Sequence, residues 1–315
     1  MYYPFFRGKQ YDLLAIKESA SVIKTASFRP IIEPVKESFS SLTRCLQSLD
    51  SEGAEAILIV NPRYGDHKGN WQQLADYFAT ELAEFGYTFP GILLLEDSSL
   101  AEVSDLIDHY GKENLFFVHS GFSKAKALTE WLAESDIEAT HIFVEDFSVK
   151  TYRRYFKDFP RVLVRDGFEK RTNSKHPELE MFSDLHLTFQ DEGMEGFGDF
   201  LTVGDDYSES GGPAYAVAIH ITFIDTENDD IMFIHHFKSI RQDTPQDPAG
   251  KFLEALEKLV AEVNSPDSQI LRTSAIEEFL KLYENQHFPG LGYVKKLSMI
   301  HHLETLADFL ASDAL

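Results

Sequence analysis

Short apolar runs recur along the chain: YYPFF (2–6), RPIIEPV (29–35), AILIVNP (56–62), GILLLED (91–97), LFFVHSG (115–121), HIFVEDF (141–147), RVLVRDG (161–167) and DFLTVGDD (199–206). Each is apolar at consecutive rather than alternate positions, the pattern of a strand covered on both faces. Between them lie segments with helical spacing. In 70–86, Trp71, Leu74, Tyr77, Phe78, Leu82 and Phe85 recur at three- and four-residue steps ahead of Gly86, which suits a helix terminus. Residues 98–111 open on a Ser cap and end at Gly111, and 123–136 put Ala127, Leu128, Trp131 and Leu132 on one face. Shorter helices are expected at 10–21 and 39–53.

Strand and helix thus alternate, with strands beginning roughly 20 to 40 residues apart, as in βα units of a parallel sheet. Eight such units predict an α/β fold, a (β/α)8 TIM-like barrel occupying residues 1–315 as a single domain. A doubly wound open sheet is the alternative, but no GxGxxG or GxxxxGK[ST] element follows the first strand. The rhythm breaks after the seventh strand. Residues 168–197 are polar and aromatic with little periodicity and are expected to form a long loop over the barrel mouth. An exit loop (208–213) and a β-hairpin (214–225 with 230–240) follow the eighth strand within an insertion at 208–245, and 246–315 are expected to be closing helices.

The 315 residues are 43% hydrophobic and 26% charged, which suits an ordinary globular chain. A net charge of −23 argues against broad nucleic-acid binding, which depends on Lys and Arg neutralising phosphates. The single Cys45 excludes an internal disulfide and leans toward a reducing compartment. No apolar run approaches the roughly 18 residues that span a bilayer. A cytoplasmic protein without a membrane segment is expected.

In a (β/α)8 barrel all strands end at one face, where ligands bind and chemistry occurs. Here those ends carry Arg7 with Lys9, Glu33, Asn61 with Arg63, Glu96 with Asp97, His119 with Ser120, Glu145 with Asp146, Arg165 with Asp166, and Asp205 with Asp206. Any of these acids can simply cap the following helix, and Asp97 and Asp146 are well placed to do so. Neighbouring strand residues face opposite ways, so one acid of each pair should point inward; for HIFVEDF the expectation is Glu145. Clustered carboxylates suit Mg²⁺ or Mn²⁺ and phosphate-ester hydrolysis, with Glu33, Glu96, Glu145, Asp166 and Asp205 as ligands or bases. Arg7, Lys9 and Arg63 then grip the anionic group, and Asn61, His119 and His302 complete the binding residues. Alternatively, two carboxylates across the mouth act on a glycosidic bond.

Two histidine pairs stand out. His235-His236 lie on an expected strand and should split between its faces, and a zinc site there needs further ligands that the spacing does not provide. His301-His302 lie on an expected helix, where His302 is the residue placed to reach the mouth. Cys45 has no evident activating partner.

The N-terminal Tyr2-Tyr3-Pro4-Phe5-Phe6-Arg7-Gly8-Lys9-Gln10, together with PIIEPV (30–35), VGDDY (203–207) and GYVKKLSMIHH (292–302), resembles the beta-protein family of bacteria and phages. That resemblance implies a barrel-like α/β fold and a role among defence or mobile-element functions, sometimes beside a nuclease encoded by a neighbouring gene. It implies no agreed catalytic residues. The reading that follows is a barrel that binds a ligand or partner protein at an acidic mouth. A divalent-metal hydrolase of a phosphorylated or nucleotide-like substrate and a glycoside hydrolase are the alternatives.

Overall fold

A computed structural model describes residues 1–209, 212 and 214–312; the expected exit loop at 208–213 therefore lies partly outside the described residues. The first seven apolar runs form parallel strands β1 (Phe5–Phe6), β2 (Ile31–Ile32), β3 (Ala56–Ile59), β4 (Thr88–Leu95), β5 (Leu115–Ser120), β6 (Ala139–Val144) and β7 (Arg161–Val164). After β8 (Leu179–Ser183) the chain returns as β9 (Gly196–Gly198), which pairs with β7. Hydrogen bonds from Tyr3 N to Phe197 O (2.8 Å) and from Phe5 N to Asp199 O (2.9 Å) join β9 to the N-terminal strand. The eight parallel strands thereby close into a (β/α)8 barrel.

The helices α1 (Gln10–Glu18), α2 (Ala20–Thr25), α3 (Ser40–Glu52), α4 (Trp71–Thr80), α5 (Leu100–Tyr110), α6 (Ala125–Glu134) and the short α7 (Lys150–Arg153) connect successive strands. Helix α3 ends at Gly53 in the left-handed conformation (φ 69°). Helix α5 begins with a capping box, Ser99 accepting from Glu102 N and Glu102 from Ser99 N. Helix α4 stops at Thr80, short of the expected Gly86.

The eighth barrel strand is displaced from its expected position at 199–206. The Asp199 carboxylate accepts from Leu201 N (2.9 Å) and turns the chain into a 3₁₀ segment, Leu201–Val203. Leu201 has φ 51° and Gly204 φ 73°, both incompatible with a strand. The strand falls instead on GFG, where a Cβ on Gly198 would lie 2.1 Å from Tyr3 O and one on Gly196 would lie 2.7 Å from the Tyr3 ring. Glycine is what lets β1 approach β9 closely enough to close the barrel.

The segment expected to be an unstructured cover holds β8 and the short α8 (Leu185–Thr188). Strand β8 joins the hairpin β10 (Ala218–Asp225) and β11 (Ile231–Lys238) as an antiparallel sheet of order β10-β11-β8. The remaining helices are α9 (Pro248–Val263), α10 (Ser274–Glu284) and α11 (Leu291–Ser312). Helix α11 is buried on several sides between the barrel and the small sheet. His302 bonds Asp199 and Tyr2 of the barrel, while Thr222 of β10 meets both His302 Nδ1 (2.9 Å) and His301 Nε2 (2.7 Å). The hairpin residues Ile219, Phe223 and Ile234 are buried, so they belong to this covering layer.

Substituting Gly198→Ala forces the seam between β1 and β9 apart and is expected to lower stability by about 1–3 kcal/mol. Urea denaturation measures this; an unchanged midpoint counts against a closed seam.

Candidate functional site at the barrel mouth

Alternation along each strand decides which residues reach the mouth. The barrel interior is filled by Phe5, Ile31, Ile59, Leu93, Val118, Val144, Val164 and Phe200. One step of two toward the C-terminal face from the first seven brings Arg7, Glu33, Asn61, Leu95, Ser120, Asp146 and Asp166. A polar rim therefore caps an apolar interior.

Glu33 is its centre and is fully shielded from solvent. One carboxylate oxygen pairs with Arg7, while the other accepts from Arg63 N (2.6 Å) and Tyr64 N (3.2 Å). Arg7 is 6% exposed and packs over Phe5 (4.8 Å) and Phe200 (5.2 Å). The Arg7 guanidinium also pairs with the Asp205 carboxylate and donates to Asp205 O (3.0 Å). Arg63 approaches the same carboxylate at 3.7 Å and donates to Ser120 Oγ (3.2 Å). Two arginines therefore converge on Asp205. Their Nε–H groups are buried and have no hydrogen-bond partner among the described residues.

The loop bearing Asp205 is held at both ends. Asp166 Oδ2 accepts from Asp205 N (2.7 Å) and its Oδ1 from Phe168 N (2.9 Å). Tyr207 stacks on Tyr64 with ring centres 4.8 Å apart, and Lys9 lies over Tyr207 at 4.9 Å while donating to Ser208 O (2.7 Å). Burial, reinforced by the negative charges of Asp199 and Asp146, pushes the Asp166 carboxyl up to about 7 despite its backbone donors. A cavity of about 150 Å³ opens beside the rim, lined by Gly8, Gln10, Pro34, Lys36, Ser38 and Ser41 among others. Gly8 and Pro34 directly follow Arg7 and Glu33 in the chain.

Several expected site residues lie elsewhere. Glu145 does not face inward: it pairs with Arg165 (2.5 Å) and Arg153 (3.6 Å) at the start of a 3₁₀ turn. Burial works to raise its pKa, but the two arginines hold it below the ordinary value. Asp146 lies in the same 3₁₀ turn and is exposed, near enough to Asp166 for its charge to help raise that carboxyl. Glu96 is exposed. His119 points to the outer layer, bonded to Tyr152 OH (2.6 Å) and His141 (2.8 Å), and its neighbour Ser120 is the residue that reaches the mouth. Burial, and then the proximity of His141, keep the His119 pKa well below its usual value.

Asn61 occupies an inward position but brackets the strands, exchanging bonds with Leu93 O (2.8 Å) and Leu93 N (2.7 Å). His302 is buried behind the barrel wall, 3.1 Å from Asp199. Burial works to raise the Asp199 pKa, but His302 and the Tyr2 hydroxyl leave it below the ordinary value. Cys45 is buried, and its thiol is pushed up to about 12, as suits an inert core residue. Of the carboxylates expected to hold Mg²⁺ or Mn²⁺, Glu33, Asp166 and Asp205 lie together at the mouth, with Glu33 and Asp205 against arginines, whereas Glu145 pairs with Arg165 and Arg153 and Glu96 faces solvent.

The class is accordingly a (β/α)8 barrel protein with a charge-compensated, arginine-lined mouth. No family model and no curated protein matches the chain. Among solved structures it is similar to the GH99 endo-alpha-mannosidase from Bacteriodes thetaiotaomicron in complex with BIS-TRIS-Propane, with 8% identity and a TM-score of 0.41. It is also similar to a morphinone reductase mutant in complex with tetrahydroNAD, with 9% identity and a TM-score of 0.38. Each similarity covers 63% of this chain and 82% of the other. Neither assigns a chemistry to this mouth. Among the described residues no helix is long and apolar enough to cross a membrane.

Replacing Glu33 by Ala leaves the Arg7 guanidinium buried without its main partner and is expected to cost about 3–5 kcal/mol in urea unfolding. A loss below about 1 kcal/mol counts against the buried pair.

Asp166 generates a pH effect. Its folded pKa lies above the usual 3.8, so the folded state holds the proton more tightly than the unfolded chain. Its contribution is fully present below about 4 and is lost as pH rises to about 7. Asp166→Asn removes this loss, so the stability of the variant relative to the parent should rise across that window. Asp12, raised by burial to about 6, titrates in the same sense in both proteins and largely cancels. Thermal melts from pH 4 to 8 check the difference, and a flat difference contradicts it.

Proposed function

We propose that the protein is a binding barrel whose mouth recognises an anionic group, a carboxylate or phosphate ester, through Arg7 and Arg63. The observation that carries this reading is the Asp205 carboxylate lying against both guanidinium groups, where it stands in for such an anion. With Asp205 present the group Arg7, Arg63, Glu33 and Asp205 is neutral. With Asp205 swung away it carries one net positive charge in a partly desolvated setting that favours an anion. The unpartnered Nε–H groups supply further donors. Ligand binding then displaces the loop that Tyr207 and Lys9 hold over the mouth.

The resemblance to the beta-protein family supports a place for this binding step in a cytoplasmic defence or mobile-element module, alongside the product of a neighbouring gene. Co-purification of that product from a native host tests the partner. A second reading is favoured by Asp166, whose raised pKa near the mouth suits general acid–base chemistry. Asp146 is the neighbouring acid that a glycoside-cleaving pair would require.

Calorimetric titration with inorganic phosphate and small phosphate and carboxylate esters tests anion recognition. Asp205→Asn removes the competing carboxylate and is expected to tighten binding about tenfold, whereas Arg63→Gln weakens it by at least that factor. Equal affinities in the parent and both variants sink the proposal. If Asp166 is instead catalytic, Asp166→Asn abolishes turnover of the responsive ester without changing its affinity.

A further inference from the structure

A cluster of imidazoles lies beside the mouth and takes no part in the arginine site. His220 on β10 stands directly opposite His236 on β11. Glu180 on β8 stands opposite Ile234, two residues from His236 and on the same face. His176 precedes β8 and stacks on His236 with ring centres 4.4 Å apart. Phe168 ties the cluster to the mouth: its N–H bonds Asp166 while its ring packs on His176, His220 and His236.

The donor atoms converge. Glu180 Oε1 lies 2.9 Å from His236 Nε2 and 3.7 Å from His176 Nδ1, and the three groups offer ligand atoms within 4.8 Å of one another. Tetrahedral zinc spaces its donors roughly 3.3 Å apart, between those two distances. His176 and His236 are each only 2% exposed. His176 Nδ1 is buried without a hydrogen-bond partner among the described residues, 3.7 Å from the Glu180 carboxylate, a costly position for a polar atom. His236 Nδ1 meets His220 Nδ1 at 2.6 Å, the outer contact that typically orients a metal-bound imidazole.

We infer that His176, Glu180 and His236 form a site for a divalent transition metal of the zinc class, with His220 orienting His236 and a fourth coordination position open. Two nitrogens and one carboxylate suit zinc far better than Mg²⁺ or Ca²⁺, which favour oxygen donors. Burial first of all keeps His176 and His236 below the usual pKa, the direction that favours neutral imidazole ligands. Among the described residues Arg171 competes for these donors, bonding the same Glu180 oxygen (2.5 Å) from an exposed position, and must swing away. The inference is independent of anion binding at Arg7 and Arg63, and either can fail alone.

The test uses full-length, chelator-treated protein titrated with Zn²⁺ by calorimetry and with Co²⁺ by visible absorption. One equivalent per chain is expected, with the intense Co²⁺ band of four-coordinate geometry. Both signals should be lost in a His176→Ala, Glu180→Gln double variant and weakened roughly 10- to 100-fold in His220→Ala. Arg171→Gln, a surface change, should tighten binding, and it keeps the test open if a histidine variant fails to fold by circular dichroism. Absence of stoichiometric binding by the parent overturns the site. So does unchanged affinity in the folded double variant, which moves the metal to other histidines or surface acids.

Discussion

A carboxylate sealed from water must be answered by donors on every side, because an unpaired buried charge costs several kcal/mol. Glu33 meets that requirement with groups from two neighbouring strand ends. Arg7 comes from the end of β1, and the Arg63 and Tyr64 N–H groups come from the turn after β3. The position of Glu33 therefore sets the positions of its donors, and these in turn fix where the Arg7 and Arg63 guanidinium groups project. Asp205 is drawn to that pair, and the loop around it follows. A buried ion pair is weak evidence for added stability compared with apolar packing. Its value here is geometric: it holds two cations side by side at the barrel mouth.

The same economy of partners explains the outer layer. Helix α11 carries adjacent buried histidines, and each finds its partners on a different element. His301 bonds Thr273 (2.8 Å) and Thr222 O, whereas His302 bonds Thr222 Oγ1, Tyr2 and Asp199. This polar seam joins barrel, helix and small sheet, and it places β10, β11 and β8 beside the mouth. The histidine cluster at the end of that sheet consequently neighbours the arginine site through Phe168 and Asp166. A pair of arginines and a cluster of histidines with one carboxylate thus share a rim.

Much of this was legible in the chain. Seven strands fall on seven continuous apolar runs because a strand covered on both faces has to be apolar throughout. Arg7, Glu33, Arg63, Asp166 and Asp205 were recognisable as strand-end residues and do gather at the mouth. Strand β9 was not legible, because GFG closes the barrel by lacking side chains rather than by supplying them. Strand β8 was hidden because its edge is defined by pairing with β11, some fifty residues later. Glu145 and His119 were misplaced inward by one residue: the period of two is exact along a strand, but its phase is known only once the interior is seen. The phase of Val118 singles out Ser120 rather than His119, whereas beyond Val144 the chain enters a 3₁₀ turn in which the strand period no longer applies.

The sequence by itself determined the alternation of strand and helix, and with it the barrel and the common face on which its polar strand ends meet. Local spacing suffices for that, since burial on both faces and helical periodicity are written in consecutive residues. Only the tertiary structure decided which polar groups neutralise one another and which are left with unused donors or lone pairs. Glu33 with Arg7, and His176 with Glu180 and His236, combine residues from separate elements, and a charge in a low-dielectric interior is defined by its neighbours in space. The chemistry of this mouth therefore resides in pairings that spacing along the chain does not encode.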